Sequence, residues 1–310
     1  MKRRVLEVGL GQINPAVGDF SGNTQKICSY IESAEVQSLD LVIFPELAVS
    51  GYPVWDLANK TAFVERGLKS LRQIAHTTRG KHVTAVVGFI DSAGGAQKKN
   101  YNALAVFRNG KVIAKQYKTL LPTYDVFLEQ IFFSPAKSYH LLSICGVPFG
   151  LSICEDIWDD EYDAKPGKIL AQKGARVLIN ISASPYHKEV VSHRSEVILK
   201  KAQDYGLWII YVNQVGGQDD LIFDGRSFIC DPKGRLHFQA EPFQEGLYKV
   251  SLDLKALNKN VILRAKPEES TAQILRFAQD DAVKDVYQAL VLGLSDYVRK
   301  NKFRNVSSIH

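Results

Sequence analysis

Short apolar runs alternate with helical patterns along most of this 310-residue chain, and this alternation limits the possible folds more than any other feature. Short apolar runs bounded by turn residues are typical of buried strands, whereas apolar residues three and four positions apart indicate amphipathic helices. The predicted strands are Val5–Leu10, Leu41–Phe44, Val83–Ile90, Ala103–Phe107, Val147–Ile153, Val177–Ile181, Trp208–Val212 and Ser227–Ile229. The predicted helices are Thr24–Val36, Thr61–Ala75, Lys168–Lys173 and Ser192–Tyr205.

Two predicted hairpins indicate that the sheets are not purely parallel. Asn109-Gly110 lies between two apolar runs, and Asp231-Pro-Lys-Gly234 occupies a similar place further along the chain. Asn-Gly is a strong hairpin signal because both residues tolerate a positive φ angle. Strands that alternate with helices and also form hairpins favour mixed sheets. We therefore predict an α/β fold in which two mixed sheets pack face to face, with helices outside.

The composition is that of a globular protein. Hydrophobic residues make up 45% of the chain and charged residues 23%, which is ordinary for a globular protein. Glu7 and Gln12 interrupt the first apolar region, and no apolar run approaches the ~20 residues of a membrane span. The four cysteines show no paired spacing, so we expect reduced thiols in a cytoplasmic protein without membrane contact.

The net charge of +6 does not indicate a nucleic-acid-binding protein. Its Lys and Arg residues are scattered, and no aromatic interleaving or zinc-finger spacing accompanies them, so we expect no nucleic-acid partner. His187 and His193 lack the spacing and the cysteine partners of a metal site. We therefore predict no metal.

Three polar residues stand where apolar runs end. Cys154 follows the run from Val147 to Ile153 and precedes two carboxylates, so we expect it at the N-terminus of a helix whose dipole favours the thiolate. Glu46 follows Leu41-Val-Ile-Phe-Pro45, and Lys118 precedes Leu120-Leu-Pro122. Each residue alone also fits an ordinary role: a buried structural thiol, a capping or surface carboxylate, and a lysine that extends to solvent.

Together, the three residues supply the groups needed for covalent amide hydrolysis. A Cys154 thiolate attacks the carbonyl carbon, Glu46 acts as the general base, and Lys118 stabilises the oxyanion together with a backbone N–H. No histidine stands at a recognisable position near Cys154, which argues against papain-like protease chemistry.

Several motifs follow one another along the chain: Phe44-Pro-Glu-Leu47 with Ser50-Gly-Tyr-Pro53, Lys118 ahead of Leu121-Pro122, Ser152-Ile-Cys-Glu-Asp156, Asn180-Ile-Ser-Ala-Ser-Pro-Tyr-His187 and Asn213-Gln-Val-Gly-Gly-Gln-Asp-Asp220 with Phe223-Asp-Gly225. Together they resemble the nitrilase (carbon–nitrogen hydrolase) superfamily, and within it the glutaminase domain of glutamine-dependent NAD synthetase. The resemblance implies a four-layer αββα sandwich that pairs across subunits into a homo-oligomer, and a Glu46–Lys118–Cys154 triad. It also implies a glutamine pocket lined by Tyr52, Tyr124, Glu155 and Ser184, with Glu129 as a supporting carboxylate.

The chain departs from that pattern in two loops. Leu128 and Ile131 stand where the resemblance leads us to expect Asp and Arg. After His187, Glu189-Val190 replaces an expected Gly-Lys or Gly-Arg pair, which would remove a positive contact to the substrate unless Arg194 substitutes for it.

The polar segment from Lys266 to Thr271 predicts a boundary between a hydrolase domain at 1–265 and a linker with helices at 266–310. Val283, Val286, Tyr287, Leu290, Val291, Leu294, Tyr297 and Val298 form one apolar helical stripe, which requires a surface to pack on. This helix resembles the start of a synthetase domain. The Ser-Gly-Gly-x-Asp-Ser phosphate loop of such domains does not occur in these 310 residues, so we expect ATP and Mg only with a synthetase domain or chain as partner.

Three functions remain open from the sequence. The first is ammonia release from glutamine by the glutaminase part of a glutamine-dependent NAD synthetase, with no cofactor of its own. The second is a stand-alone amidase for another small amide. The third is an inactive domain that serves as a binding partner or scaffold.

Overall fold

The computed structural model describes residues 5–94, 99–124, 127–187, 190–257 and 282–303. Its strands are β1 (Val5–Gln12), β2 (Leu41–Ile43), β3 (Thr84–Asp91), β4 (Tyr101–Arg108), β5 (Lys111–Tyr117), β6 (Leu141–Ile144), β7 (Val147–Ile153), β8 (Val177–Ser182), β9 (Trp208–Asn213), β10 (Val215–Gln218), β11 (Leu221–Asp224), β12 (Phe228–Cys230), β13 (Leu236–Gln239) and β14 (Gly246–Asp253).

The helices are α1 (Phe20–Val36), α2 (Thr61–Thr77), α3 (Glu129–Phe132), α4 (Pro166–Gln172), α5 (Val190–Tyr205), α6 (Leu254–Leu257) and a helix at Ala282–Lys300, named here the C-terminal helix. Single 3₁₀ turns lie at Trp55–Asn59, Cys154–Ile157 and Asp159–Glu161. Within the described ranges, no helix combines the length and apolar character needed to cross a membrane.

Two six-stranded sheets carry the fold, with strand orders β14-β1-β2-β3-β4-β5 and β13-β12-β9-β8-β7-β6. In the first sheet β1, β2 and β3 run parallel and the remaining neighbours are antiparallel. The second sheet has the same design, with β7, β8 and β9 parallel. The prediction of two mixed sheets is therefore confirmed. A separate hairpin, β10–β11, follows β9.

Apolar side chains fill the space between the two sheets. Residues of the first sheet such as Leu10 and Val86 pack in one buried cluster with Ile153 and Ile179 of the second sheet. On the outer face of the first sheet, residues of α1 and α2 such as Ile27 pack onto the strands, and α4 and α5 cover the second sheet in the same way. The four-layer αββα sandwich is confirmed.

Both predicted hairpins are present. Asn109 and Gly110 have φ angles of 46° and 79° and connect β4 to β5. Asp231 begins the turn between β12 and β13, where the Gly234 N–H donates to its carbonyl oxygen. The first helix begins one turn earlier than predicted because Asp19 caps it, accepting the Gly22 N–H at 2.9 Å.

The C-terminal helix contacts the rest of the protein through the face opposite its apolar stripe. Its small and polar residues face the body of the protein: Asp296 accepts N–H groups from Asn14 and Gly217, and Gly293 lies against β10 and β11. The predicted apolar stripe instead faces outward, with Val283 86% exposed, Tyr287 68%, Leu290 64% and Leu294 63%. Among the described residues these four side chains stay largely exposed, and the surface that the stripe requires stays a prediction. The predicted boundary at 265/266 lies outside the described residues.

Candidate active site

The three proposed catalytic residues stand just beyond strand ends. Glu46 follows β2, Lys118 follows β5 directly, and Cys154 follows β7 directly. The first two strands belong to one sheet and β7 to the other, so the residues meet where the two sheets pack together. All three side chains are buried, with Glu46 and Lys118 at 0% exposure and Cys154 at 6%.

Lys118 lies between two carboxylates. Its Nζ is 2.8 Å from Glu46 Oε1 and 2.8 Å from Glu129 Oε1. Burial acts to lower the pKa of Lys118, but Glu129 and Glu46 together raise it well above its ordinary value. Lys118 is therefore a buried ammonium ion, and not the lysine extending to solvent that the sequence also allowed.

Glu46 is held by residues that the sequence analysis did not identify. Asn102 Nδ2 donates to its Oε1 at 2.6 Å, and the Ala183 N–H donates to its Oε2 at 2.9 Å. The Lys118 N–H in turn donates to the Asn102 carbonyl at 2.8 Å. Asn102 therefore fixes both Glu46 and the start of the Lys118 segment. Its position inside an apolar strand was the available signal, since a buried amide requires partners.

Glu129 is fully enclosed and shares Lys118 with Glu46. Burial raises the pKa of Glu129 to about 7, with Lys118 opposing the shift and Glu46 adding to it. The Tyr52 hydroxyl donates to Glu129 Oε1 at 3.2 Å. Glu129 therefore contacts the buried ammonium group, and it connects Tyr52 to the site.

The environment of Cys154 differs from the predicted one. A single 3₁₀ turn follows the residue instead of an α-helix, and Cys154 has a φ angle of 44°. Burial raises the pKa of the Cys154 thiol well above its ordinary value; Glu46, Glu129 and Glu155 add to this shift and Lys118 opposes it. The expectation that a helix dipole holds a thiolate here is wrong. The resting group is a protonated thiol, which requires a base before it can attack.

Glu155 is surrounded by tyrosine hydroxyls. Tyr124 donates to both carboxylate oxygens, at 3.0 and 2.9 Å, and Tyr162 donates to Oε1 at 2.9 Å. Burial raises the pKa of Glu155, and the hydrogen bond from Tyr162, Lys118 and the bond from Tyr124 oppose the shift. Tyr124 is 52% exposed and so lies at the surface beside this carboxylate. Tyr162 stands in no motif, so its role could not be predicted from the sequence.

Ser184 lies beyond β8, and its backbone is fixed by Asn213. The Ser184 N–H donates to Asn213 Oδ1 at 2.8 Å, and Asn213 Nδ2 donates to the Ser184 carbonyl at 3.2 Å. Residues 188 and 189 and the Val190 side chain lie outside the described part of the chain. Arg194 is buried and its Nη2 is 2.6 Å from Asp224 Oδ2. It is therefore engaged in an internal ion pair, contrary to the suggestion that it contacts substrate.

The altered loop after Tyr124 is partly described. Leu128 and Ile131 are both exposed, and residues 125 and 126 lie outside the described ranges. Neither Cys154 nor the exposed Cys145 forms a disulfide bond. Among the described residues, no group of three or more His, Cys, Asp or Glu side chains is placed to hold a metal ion.

Comparison with known proteins agrees with this geometry. Residues 7–259 match the carbon–nitrogen hydrolase family. The chain is 36% identical to a glutamine-dependent NAD(+) synthetase of Thermotoga maritima over 99% of its own length and 55% of the relative's. It is 35% identical to one of Aquifex aeolicus, over 97% of this chain and 55% of the relative. The chain thus spans about half the length of the curated relatives it matches.

Solved structures give the same result. A glutamine-dependent NAD+ synthetase of Acinetobacter baumannii superposes with a TM-score of 0.83 at 34% identity, over 98% of this chain and 54% of that one. An amidase from a Nesterenkonia species has a TM-score of 0.69 at 21% identity, which shows the shared fold. The sandwich, the buried lysine between two carboxylates beside a thiol, and the match over residues 7–259 place this chain in the carbon–nitrogen hydrolase family.

Proposed function

We propose that this chain hydrolyses the side-chain amide of glutamine through a thioester on Cys154 and releases ammonia. One observation carries the proposal: Lys118 is buried 2.8 Å from both Glu46 and Glu129, and the same three groups shift the pKa of the Cys154 thiol. One buried ammonium group with two carboxylates leaves an excess of acidic groups in the protein interior, which is costly for folding. Groups whose pKa values are shifted by such surroundings cluster at catalytic sites.

The chemistry begins with a protonated thiol. Glu46 accepts the thiol proton as Sγ attacks the amide carbon, and the carbonyl electron pair moves to oxygen. Lys118 stabilises this oxyanion, together with a backbone N–H after Cys154. Glu46 then gives its proton to the amide nitrogen, the C–N bond breaks and ammonia leaves. Water, deprotonated by Glu46, attacks the thioester, and glutamate departs as the thiol is restored.

Recognition of glutamine requires groups for its ammonium and its carboxylate. Glu155, oriented by Tyr124 and Tyr162, is the carboxylate that suits the ammonium group. Tyr52 and Ser184 complete the pocket in this proposal. The opposing hydrogen bonds from the two tyrosines favour the charged form of Glu155, which is the form needed to bind a cation.

One observation favours a second candidate, an amidase for a small amide without a carboxylate. Arg194, suggested from the sequence as a replacement for a positive contact to the substrate, is bound to Asp224 instead. Steady-state kinetics with glutamine, asparagine and propionamide separate the two candidates. A higher kcat/KM for propionamide than for glutamine would overturn the glutamine assignment while leaving the thioester chemistry in place.

Covalent trapping tests the thioester chemistry. A diazoketone analogue of glutamine should add to Cys154, and peptide mass spectrometry should locate the adduct there and not on Cys145, which serves as the exposed control thiol. The Cys154→Ala variant should take up none. Absence of an adduct at Cys154 in the wild type would support the remaining alternative, an inactive partner domain.

We also propose that a synthetase-type polypeptide, corresponding to the half of the relatives that lies beyond the match, covers the C-terminal helix. Two facts support it. The relatives align over almost all of this chain, which includes the helix, and their other half is unmatched. Outward residues Tyr287, Leu290 and Leu294 form a continuous apolar face, a pattern that marks interaction sites. The ammonia would then be used for the amidation of deamido-NAD by that partner, with ATP and Mg bound there.

Binding can be measured with the unmatched portion of the Thermotoga maritima relative as the probe. Light scattering should show a one-to-one complex that Tyr287→Ser with Leu290→Ser abolishes. An exposed apolar residue elsewhere, Val112, provides the control as Val112→Ser. Failure of the probe to bind, or self-association that the double variant removes, would overturn this assignment; the latter would identify a second copy as the occupant.

A further inference from the structure

One buried carboxylate connects two of the segments that carry the proposed catalytic residues. Asp156 Oδ1 accepts the N–H groups of Thr119 and Leu120, each at 2.9 Å, and its Oδ2 accepts the Ile153 N–H at 3.0 Å. The side chain is 2% exposed. Thr119 follows Lys118 directly, and Ile153 precedes Cys154 directly.

The connection spans the two sheets. Lys118 follows β5, an edge strand of the first sheet, whereas Cys154 follows β7 of the second. The sheets meet through apolar side chains, whose packing is not directional and fixes positions less sharply than hydrogen bonds do. Hydrogen bonds are directional, so a carboxyl group that accepts three backbone N–H groups makes a rigid link between the segments. Burial raises the pKa of Asp156 to about 7, and these three N–H groups oppose the shift.

The bond to Ile153 also stabilises the turn at Cys154. This residue has a φ angle of 44°, a region that is sparsely populated by residues other than glycine, Asn and Asp. Such backbone conformations persist only where the surroundings enforce them. Asp156 closes the turn from three residues beyond Ile153 and thereby holds Cys154 in this conformation.

We propose that Asp156 is a positioning residue of the amidase reaction, which sets the separation between the Lys118 ammonium and the Cys154 sulfur by binding both segments at once. The inference rests on the proposed function. It gives Asp156 a role distinct from that of its neighbour Glu155, whose carboxylate binds tyrosine hydroxyls. Loss of the link leaves every catalytic group present but misplaced.

The test compares Asp156→Asn with Asp231→Asn. Asn keeps the shape of Asp but turns one acceptor oxygen into a donor, so one side of the link is lost. Asp231 is the matched control because it also accepts backbone N–H groups, from Lys233 and Arg235, in the turn between β12 and β13. A misplacement of about 1 Å costs about 100-fold in rate, so Asp156→Asn should lower kcat by about that factor with little change in KM.

A second measurement separates positioning from general stability. The alkylation rate of Cys154 by iodoacetamide, followed against pH in a Cys145→Ser background, reports the thiolate fraction without any need for amidase activity. Lys118 favours the thiolate, whereas Glu46, Glu129 and Glu155 oppose it. Displacement of Lys118 should therefore slow alkylation and move its pH midpoint upward, whereas Asp231→Asn should leave the profile unchanged.

The outcomes are distinct. A folded Asp156→Asn protein with wild-type kcat, or with reduced kcat but an unchanged alkylation profile, would overturn the proposal. If Asp156→Asn does not fold, Asp156→Glu, which keeps the charge but lengthens the side chain, should show the same changes; unchanged kcat and alkylation in that variant would also overturn it. A wild type that releases no ammonia refutes the proposed function, while the alkylation profiles still test the link.

Discussion

The carboxyl group of Glu129 has a pKa that predicts a stability change of definite sign. Burial raises this pKa from 4.5 to about 7, because the cost of burying the charge exceeds the attraction of Lys118. Between these values the folded protein keeps a proton that the unfolded chain has lost, so the free energy of unfolding falls as the pH rises through this window. One pKa unit corresponds to about 1.4 kcal/mol, which gives a contribution of about 3 kcal/mol.

The variant Glu129→Gln should remove this dependence, since Gln does not titrate but can keep hydrogen bonds to Lys118 and Tyr52. Urea unfolding followed by tryptophan fluorescence, at about pH 5 and about pH 8, measures it. Relative to the variant, the wild type should lose about 3 kcal/mol between these conditions. Asp231→Asn is the control: burial acts to raise the pKa of Asp231, but Arg235 lowers it overall, so it titrates below both conditions. Equal losses in wild type and Glu129→Gln would refute the reasoning.

Three further variants test the pocket, the support of the base and the core. Tyr124→Phe removes a hydrogen bond to the Glu155 carboxylate that is worth about 1.5 kcal/mol. The KM for glutamine should therefore rise about tenfold while kcat stays nearly constant. An unchanged KM would contradict the assignment of Tyr124 and Glu155 to the glutamine pocket. Gly88→Ala places a methyl group against the backbone on both sides of Glu46. This overpacking should lower the unfolding free energy by about 1–3 kcal/mol and, by displacing Glu46, reduce kcat. A kcat equal to that of the wild type would show that Glu46 had not moved. Ile179→Ala, in the core between the sheets, should lower the unfolding free energy by about 2–5 kcal/mol. The kcat of the folded variant should stay within a few-fold of the wild-type value. A large fall in kcat of the fully folded variant would argue against a purely structural role for Ile179.

The fold was predictable where hydrophobic periodicity is strong. The central strands are buried on both faces, as β8 is throughout, and their mostly apolar runs stand out between turn residues. The edge strand β14 escaped prediction although it pairs with β1 along its whole length, because most of its residues are partly or fully exposed and its composition is mixed. β10 was missed because Gly216 and Gly217 give it little strand propensity.

The residues that form the site could be predicted from the sequence, but their protonation states could not. Glu46 and Cys154 each follow a predicted strand, whereas Lys118 was noted only for the Leu120-Leu-Pro122 segment that it precedes, since β5 was not predicted. The protonation state of Cys154 could not be predicted, since it depends on burial and on carboxylates brought close by the tertiary fold. Asn102 and Asp156 were missed for a similar reason, because each acts through hydrogen bonds to groups distant in sequence: the Glu46 carboxylate for Asn102 and the Thr119 N–H for Asp156.

The orientation of the C-terminal helix shows the limit of periodicity. The stripe containing Leu290 predicts an amphipathic helix correctly, but it does not say which face meets the rest of the chain. Here Asp296 and Gly293 make that contact, through hydrogen bonds and close backbone approach. Homo-oligomer formation and cytoplasmic location stay predictions.

Ammonia release from glutamine by wild type and by Cys154→Ala is the most direct test of the central claim, that this thiol forms a thioester with the substrate amide. Both proteins should have the same unfolding profile, so that a difference in rate reflects chemistry. The account predicts ammonia release by the wild type and a loss of at least about 1,000-fold in the variant, because the nucleophile is absent. Equal rates in the two proteins would contradict it.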